Sequence, residues 1–139
     1  MNPNPNHIFV DTNVLIGAYN NDEKDKRCLQ YLFSLRGKHL YTSALSIAQL
    51  VSVFQKSKSN SDIKKIVREL LSKFTIIGFL SNDIKESLLL EYTDMEDNIQ
   101  FVISRKFHCL HFITNNARDY RKFVNINTLK PIQIRTIQQ

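Results

Sequence analysis

Short apolar runs alternate with longer segments of helical periodicity along nearly the whole chain, and that alternation leaves few folds open. "HIFV" (7–10), "HLYT" (39–42), "TIIGFL" (75–80) and "HFIT" (111–114) are brief and rich in strand formers. Between them, "DTNVLIGAY", "NDEKDKRCLQYLFSLRGK", "SALSIAQLVSVFQK", "SDIKKIVRELLSKF", "NDIKESLLLEY" and "DMEDNIQFVISRKF" read as helices. The fourth is the clearest: Ile63, Ile66, Val67, Leu70, Leu71 and Phe74 form one stripe, and Lys64, Lys65 and Arg68 keep to the other faces. Strands separated by helices pair in parallel through right-handed crossovers, with helices over both sheet faces. The expected fold is therefore α/β, a three-layer α/β/α sandwich with a central parallel sheet.

The punctuation agrees. Only three Gly and three Pro occur in 139 residues, so the connections are short and polar, and the length suits a single domain over 1–139. Gly37 marks the stop of the second helix, and "NNARDY" reads as a polar turn or short helix. In the tail "PIQIRTI", Ile132, Ile134 and Thr136 alternate with Gln133 and Arg135, which predicts a final edge strand ending before Ile137.

No run approaches the roughly 18 apolar residues of a membrane span, and "MNPNPNHIFV" lacks the pattern of an export signal, so a soluble cytoplasmic protein is expected. Cys28 and Cys109 are too few for a disulfide framework and read as reduced, buried side chains. A net charge of +6 favours a polyanionic partner.

The polar residues fall where strands end or helices begin. Asp11 follows "HIFV", Asp97 lies early in the "DMEDNIQ" helix, and Asn116 and Asp119 follow "HFIT". Ligand crevices of open α/β sheets lie outside the carboxyl ends of the strands, so Asp11 and the 116–119 turn belong to that rim. Carboxylates gathered there repel one another until a cation sits among them, and oxygen donors without Cys or His suit Mg²⁺ or Mn²⁺. One or two such ions orient a phosphodiester, lower the pKa of an attacking water and offset charge on the leaving oxygen.

Each acid also has a plain structural use: Asp11 as a helix cap, Thr93 to Glu96 as a capping box, Asp119 as an exposed turn residue. Their repetition at one sheet edge favours a site. His108, Cys109 and His111 in "KFHCLHF" are read as structural, because strand residues three apart point to opposite faces. The lysines of "QKSKSNSDIKK" read as a solvated loop and helix face.

The stretches "FVDTNVLIGAY", "TSALSIAQLVSVF", "DMEDNIQFVIS" and "HFITNNARDY", in this order over nearly the whole chain, resemble the PIN domain, the nuclease family that includes the VapC toxins of VapBC-type toxin–antitoxin pairs. The resemblance implies an Mg²⁺- or Mn²⁺-dependent endoribonuclease that hydrolyses RNA phosphodiester bonds. It implies that Asp11, Asp97 and Asp119 are catalytic acids holding metal, and that Asn13, Thr114 and Asn116 support them. Asp94, three residues before Asp97, is either a supporting residue or a helix cap. A cognate antitoxin protein that occludes the site and a homodimer are further implications of the resemblance.

One position departs from the family pattern: Gln49 in "SIAQLVS" stands where a Glu is usual. Its amide offers a carbonyl oxygen to a metal without the charge, and its structural alternative is a capping box with Ser46. Glu96, adjacent to Asp97, points about 100° away on a helix and is not expected to replace the missing acid.

Three rivals are weighed. A haloacid dehalogenase-type phosphatase needs a second Asp where Asn13 stands, and a receiver domain needs a paired acid and a late Lys that are not evident. The rival from another class is a catalytically impaired PIN-like domain that binds RNA or a protein partner. Gln49 favours it, and the presence of Asp11, Asp97 and Asp119 opposes it.

Overall fold

The structure, a computed structural model, describes residues 2–138. Five strands form one parallel sheet in the order β3-β2-β1-β4-β5: β1 Asn4–Val10, β2 His39–Ser43, β3 Thr75–Ile77, β4 Cys109–Ile113 and β5 Asn127–Leu129. The sequence places β1 from His7, and the structure starts it at Asn4. Asn4 pairs with Cys109, and the register shifts before Ile8, which lets Pro5 sit in the strand without breaking a regular ladder.

Helices α1 (Thr12–Tyr19) and α2 (Glu23–Ser34) carry the chain from β1 to β2, and α3 (Ala44–Phe54) and α4 (Asn60–Lys73) carry it on to β3. Helices α5 (Ser81–Leu88) and α6 (Met95–Arg105) then return it across the sheet to β4, and α7 (Ala117–Tyr120) leads to β5. Two hydrophobic cores result. Ile8 and Val10 of β1 face the first four helices with Leu15, Leu32, Leu50 and Leu70, whereas Phe9 faces Phe101, Phe112, Tyr120 and Phe123. The strand pleat separates these two sets, as alternate side chains must.

Local signals explain the element ends. Asp11, Asp22, Ser43, Ser59 and Asp94 each cap a helix through a side-chain oxygen. The cap of α6 is thus Asp94, which accepts from the Asp97 amide at 3.0 Å, and not Thr93 as the capping-box pattern suggests. Likewise α3 is capped by Ser43, so Ser46 lies inside the helix and makes no box with Gln49. Helix α2 stops at Ser34, and Gly37 adopts φ +72° in the turn that follows, a left-handed conformation suited to glycine.

The tail is a correction. Residues Pro131–Thr136 form a 3₁₀ helix and not an edge strand; the edge strand is β5, just before it. Pro131 opens the helix, and the buried residues are Pro131, Ile134 and Ile137, a spacing of three that matches 3.0 residues per turn. Ile132, expected to be buried with Ile134, is 80% exposed.

Helix α5 is inverted in polarity: it buries Asp83 and Ser87 and exposes Leu80, Ile84 and Leu88. Asp83 accepts from the Leu80 amide and pairs with Lys106, whose ammonium also donates to the Gly78 carbonyl. Cys28 and Cys109 are free and buried, as expected. Among the described residues no helix is long and apolar enough to cross a membrane.

The 3₁₀ tail makes a sharp contrast testable. Ile134→Ala should cost about 2–4 kcal/mol in urea denaturation and Ile132→Ser less than about 0.5 kcal/mol, whereas equal losses would indicate an alternating strand.

Candidate active site

Strand order reverses at β1: the chain leaves it toward β2 on one side and comes back to β4 on the other. The carboxyl ends of β1 and β4 therefore border the crevice where such sheets bind ligands. Val10 pairs with Ile113, so the next residues, Asp11 and Thr114, are neighbours. The Asp11 amide donates to the Ile113 carbonyl at 2.9 Å, and the Thr114 hydroxyl donates to Asp11 Oδ2 at 2.8 Å.

Asp11 is 5% exposed. Its Oδ1 accepts from the Thr12 amide at 2.8 Å, so the carboxylate that caps α1 is the same one that the Thr114 hydroxyl meets. Asn13 donates weakly to Asp11 Oδ2 at 3.3 Å and accepts from the Asn115 amide at 3.0 Å. Asn115 in turn donates to both oxygens of Asp25, at 3.1 and 3.3 Å. Asp25 is buried against Gly17, where a Cβ would stand 1.8 Å from Asp25 Oδ2. Sequence reasoning passed over Asp25 and Asn115, whose only signal was an acid in a helix that already had a cap.

Asp97 reaches the same cleft from the first turn of α6. The cleft holds about 420 Å³ and is lined by Asp11, Thr12, Asn13, Gln49, Glu96, Asp97, Asn116 and Tyr120, together with Ile16, Ser52 and Val53. The structure thus brings together Asp11, Asn13, Gln49, Asp97 and Asn116, with Thr114 buried just beneath and Asp94 capping the helix that carries Asp97. Asp119 is exposed on α7 outside this lining, and it acts on Asp97 through its charge. Glu96, which the 100° rule set aside, does line the cleft, because the wall here is the open N-terminal turn of a helix and two successive residues both border it.

Burial pushes the Asp11 carboxyl up to about 6, against the lowering effect of the Thr114 hydroxyl and the Thr12 amide, with the charges of Asp97 and Glu96 adding to the rise. Burial also raises Asp97, opposed by a hydrogen bond from Tyr120 and by Lys122, whose ammonium stands 3.8 Å from Asp97 Oδ2. Tyr120 is itself held protonated by burial and by the Asp11 and Asp97 charges, which keeps it a donor.

Among the described residues no three His, Cys, Asp or Glu side chains converge closely enough to close on one ion. A divalent ion still fits the donor chemistry. Mg²⁺ is commonly held by one or two carboxylates with water completing the octahedron, and Asp11 and Asp97 supply two destabilised carboxylates in a cleft that Glu96 also lines and to which Thr12, Asn13, Gln49 and Asn116 add neutral oxygens. The histidines do not compete. His108 sits at φ +56° in the turn before β4, and His111 is bonded to Asn127 at 3.0 Å.

Fold and cleft together define a parallel α/β/α protein with an acidic site at the switch point of its sheet. The chain belongs to the PIN domain family, which matches residues 8–122. It is 25% identical over 136 residues to ribonuclease VapC1 of Aquifex aeolicus, covering 90% of this chain and 92% of that one. Among solved structures it resembles VapBC2 of Rickettsia felis bound to a promoter DNA fragment, with a TM-score of 0.70, 17% identity, and 89% of this chain and 98% of that one covered. A toxin–antitoxin complex from Klebsiella pneumoniae gives a TM-score of 0.69 at 20% identity, covering 89% and 97%.

The raised Asp11 carboxyl has a pH signature. It keeps its proton to about 6 in the fold but only to 3.8 in the unfolded chain, so burial costs nothing at low pH and its full penalty above the folded value. Without metal, the wild type should lose roughly 2 kcal/mol relative to Asp11→Asn between about pH 4.5 and about pH 7.5. Urea denaturation in EDTA at both pH values measures this, and a constant difference would rule out a buried titrating Asp11.

Proposed function

We propose that the chain, acting as one unit over 1–139, is a metal-dependent endoribonuclease that hydrolyses RNA phosphodiester bonds as the toxin of a toxin–antitoxin pair. The observation that carries this reading is the pairing of two carboxylates of raised pKa, Asp11 and Asp97, at the switch point of the sheet. Kinship with a protein named a ribonuclease supports it.

In this reading Asp11 and Asp97 hold Mg²⁺ or Mn²⁺, and Asp119 tunes or completes the set from the rim. Such an ion supplies positive charge to the phosphate and makes water more acidic. The remaining work falls to the chain. Thr114 and Asn13 hold Asp11 in one rotamer, Asp94 fixes the first turn of α6 beneath Asp97, and Tyr120 and Lys122 aim the Asp97 carboxylate. Asn116, exposed at the cleft, is placed to meet the RNA backbone, and the net charge of +6 favours the encounter.

An antitoxin protein that occludes the cleft fits the similar Klebsiella structure, which is described as a toxin–antitoxin complex. A second copy of the chain fits the outer face of α5, where Leu80, Ile84 and Leu88 stand in an apolar line. Light scattering should show a dimer that Ile84→Lys with Leu88→Lys converts to monomer; a monomeric wild type would exclude that interface.

The function itself is tested with a mixed RNA pool in Mn²⁺ or EDTA. Wild type should cut only with metal, and Asp97→Asn should lose cleavage by at least about 100-fold with an unchanged circular dichroism spectrum. Full activity in Asp97→Asn would remove Asp97 from the reaction. Binding without cleavage by the wild type would instead select the impaired, RNA-binding form of the domain, which Gln49 favours.

A further inference from the structure

The two long walls of the cleft differ in charge. Glu96 and Asp97 stand on α6, while α3 presents neutral Gln49 and Ser52, three residues apart on one helical face. Among the described residues no Lys or Arg lines the cleft. A phosphate drawn in between these walls meets carboxylates on the α6 side, and the α3 wall offers it donors without negative charge.

Gln49 is prepared for that task by a buried chain of hydrogen bonds. The Ser43 hydroxyl donates to Gln100 Oε1 at 2.8 Å, and Gln100 Nε2 donates to Ser46 Oγ at 3.0 Å. Ser46 Oγ lies 2.7 Å from Thr12 Oγ1, and the Thr12 hydroxyl donates to Gln49 Oε1 at 2.7 Å. Ser43 and Ser46 are completely buried and Gln100 and Thr12 nearly so, which shields the network from competing water. An amide has its oxygen and nitrogen on opposite sides of one carbon. With Oε1 held by Thr12, Nε2 has no hydrogen-bond partner among the described residues, and Gln49 lines the cleft.

We infer that Gln49 is a phosphate-binding residue: its Nε2 amide donates to a non-bridging oxygen of an RNA phosphodiester, and Thr12 is the positioning residue that keeps this donor outward. The inference rests on the ribonuclease reading and names what α3 contributes to it. It stands against the expectation that Gln49 meets a metal through its carbonyl, since one lone pair of that oxygen is already engaged by Thr12.

The test separates RNA binding from metal binding. A fluorescein-labelled single-stranded RNA oligonucleotide, titrated in EDTA where cleavage stops, reports the first by anisotropy. Calorimetry with Mn²⁺ alone reports the second. Gln49→Met, which keeps the side-chain length and removes the donor, should weaken RNA binding and raise KM about tenfold while leaving Mn²⁺ affinity unchanged. Thr12→Val should shift RNA binding in the same direction and add little in the Gln49→Met background. Gln49→Glu should tighten Mn²⁺ binding and weaken RNA binding in EDTA, because it points charge where the donor was. Gln49→Met with weakened Mn²⁺ binding and intact RNA affinity would overturn the inference in favour of a metal ligand, and unchanged affinity for both would overturn it outright. A wild type that neither binds nor cuts RNA defeats the ribonuclease reading and this inference together, a result distinct from a loss seen only in the variant.

Discussion

Parallel pairing of β1 with β4 is the constraint on which the rest depends. The two strands are about 100 residues apart in sequence, and their register places Asp11 beside Thr114 to within one hydrogen bond. Everything at the cleft refers to that junction. Helix α1 begins there with Asp11 as its cap, the 114–116 turn folds over it through the Asn115 and Asn116 amides, and α6 brings Asp97 across from the other face. The reversal of strand order at β1 creates the opening, and the cap geometry of α1 aims the carboxylate into it. Neither feature alone makes a site: a capped helix is ordinary, and a switch point without acids is only a crevice.

Most of this architecture was legible because it rests on local periodicity. The four principal strands and six long helices follow from short apolar runs set between helical stripes, and parallel order follows from their alternation. The misreadings share a cause, which is that tertiary partners decided what local pattern left open. "PIQIRTI" alternates well enough for a strand, but Pro131 lacks the amide a ladder needs and the tail packs on α2 by a three-residue repeat, with the Tyr31 hydroxyl donating to the Ile137 carbonyl. Thr93 and Asp94 are equally plausible caps in sequence, and only the path of the chain selects Asp94. Glu96 was set aside by an angle measured along a helix, which says nothing of how wide a cleft opens beside its first turn.

Buried polar groups around the cleft illustrate why the site residues cannot be read singly. Asp25 has no direct contact with Asp11, yet it holds Asn115, which holds Asn13, which meets Asp11. The chain of contacts also accounts for Gly17 in the middle of α1, a position where glycine weakens a helix. Any side chain there would collide with the Asp25 carboxylate. The loss of helix propensity is the condition for packing α2 close enough to α1 that a buried acid can brace the 114–116 turn. A glycine that looks like a defect in a helical stripe is thus explained by a contact from the next helix.

The charge distribution gives the cleft its character. A strongly basic chain places Asp11, Glu96 and Asp97 together at a small opening, where burial raises the Asp11 carboxyl and the charges of Asp97 and Glu96 add to the rise. A glutamate at position 49 would add a fourth carboxylate facing the other three. The residue present is neutral, and its carbonyl oxygen accepts from a network that meets the acids only through Thr12. The α3 wall is therefore polar without being anionic, so it adds no carboxylate to the demand for cations and does not repel a phosphate. In the ribonuclease reading this asymmetry orients a polyanion, since the α3 wall gives hydrogens without presenting negative charge.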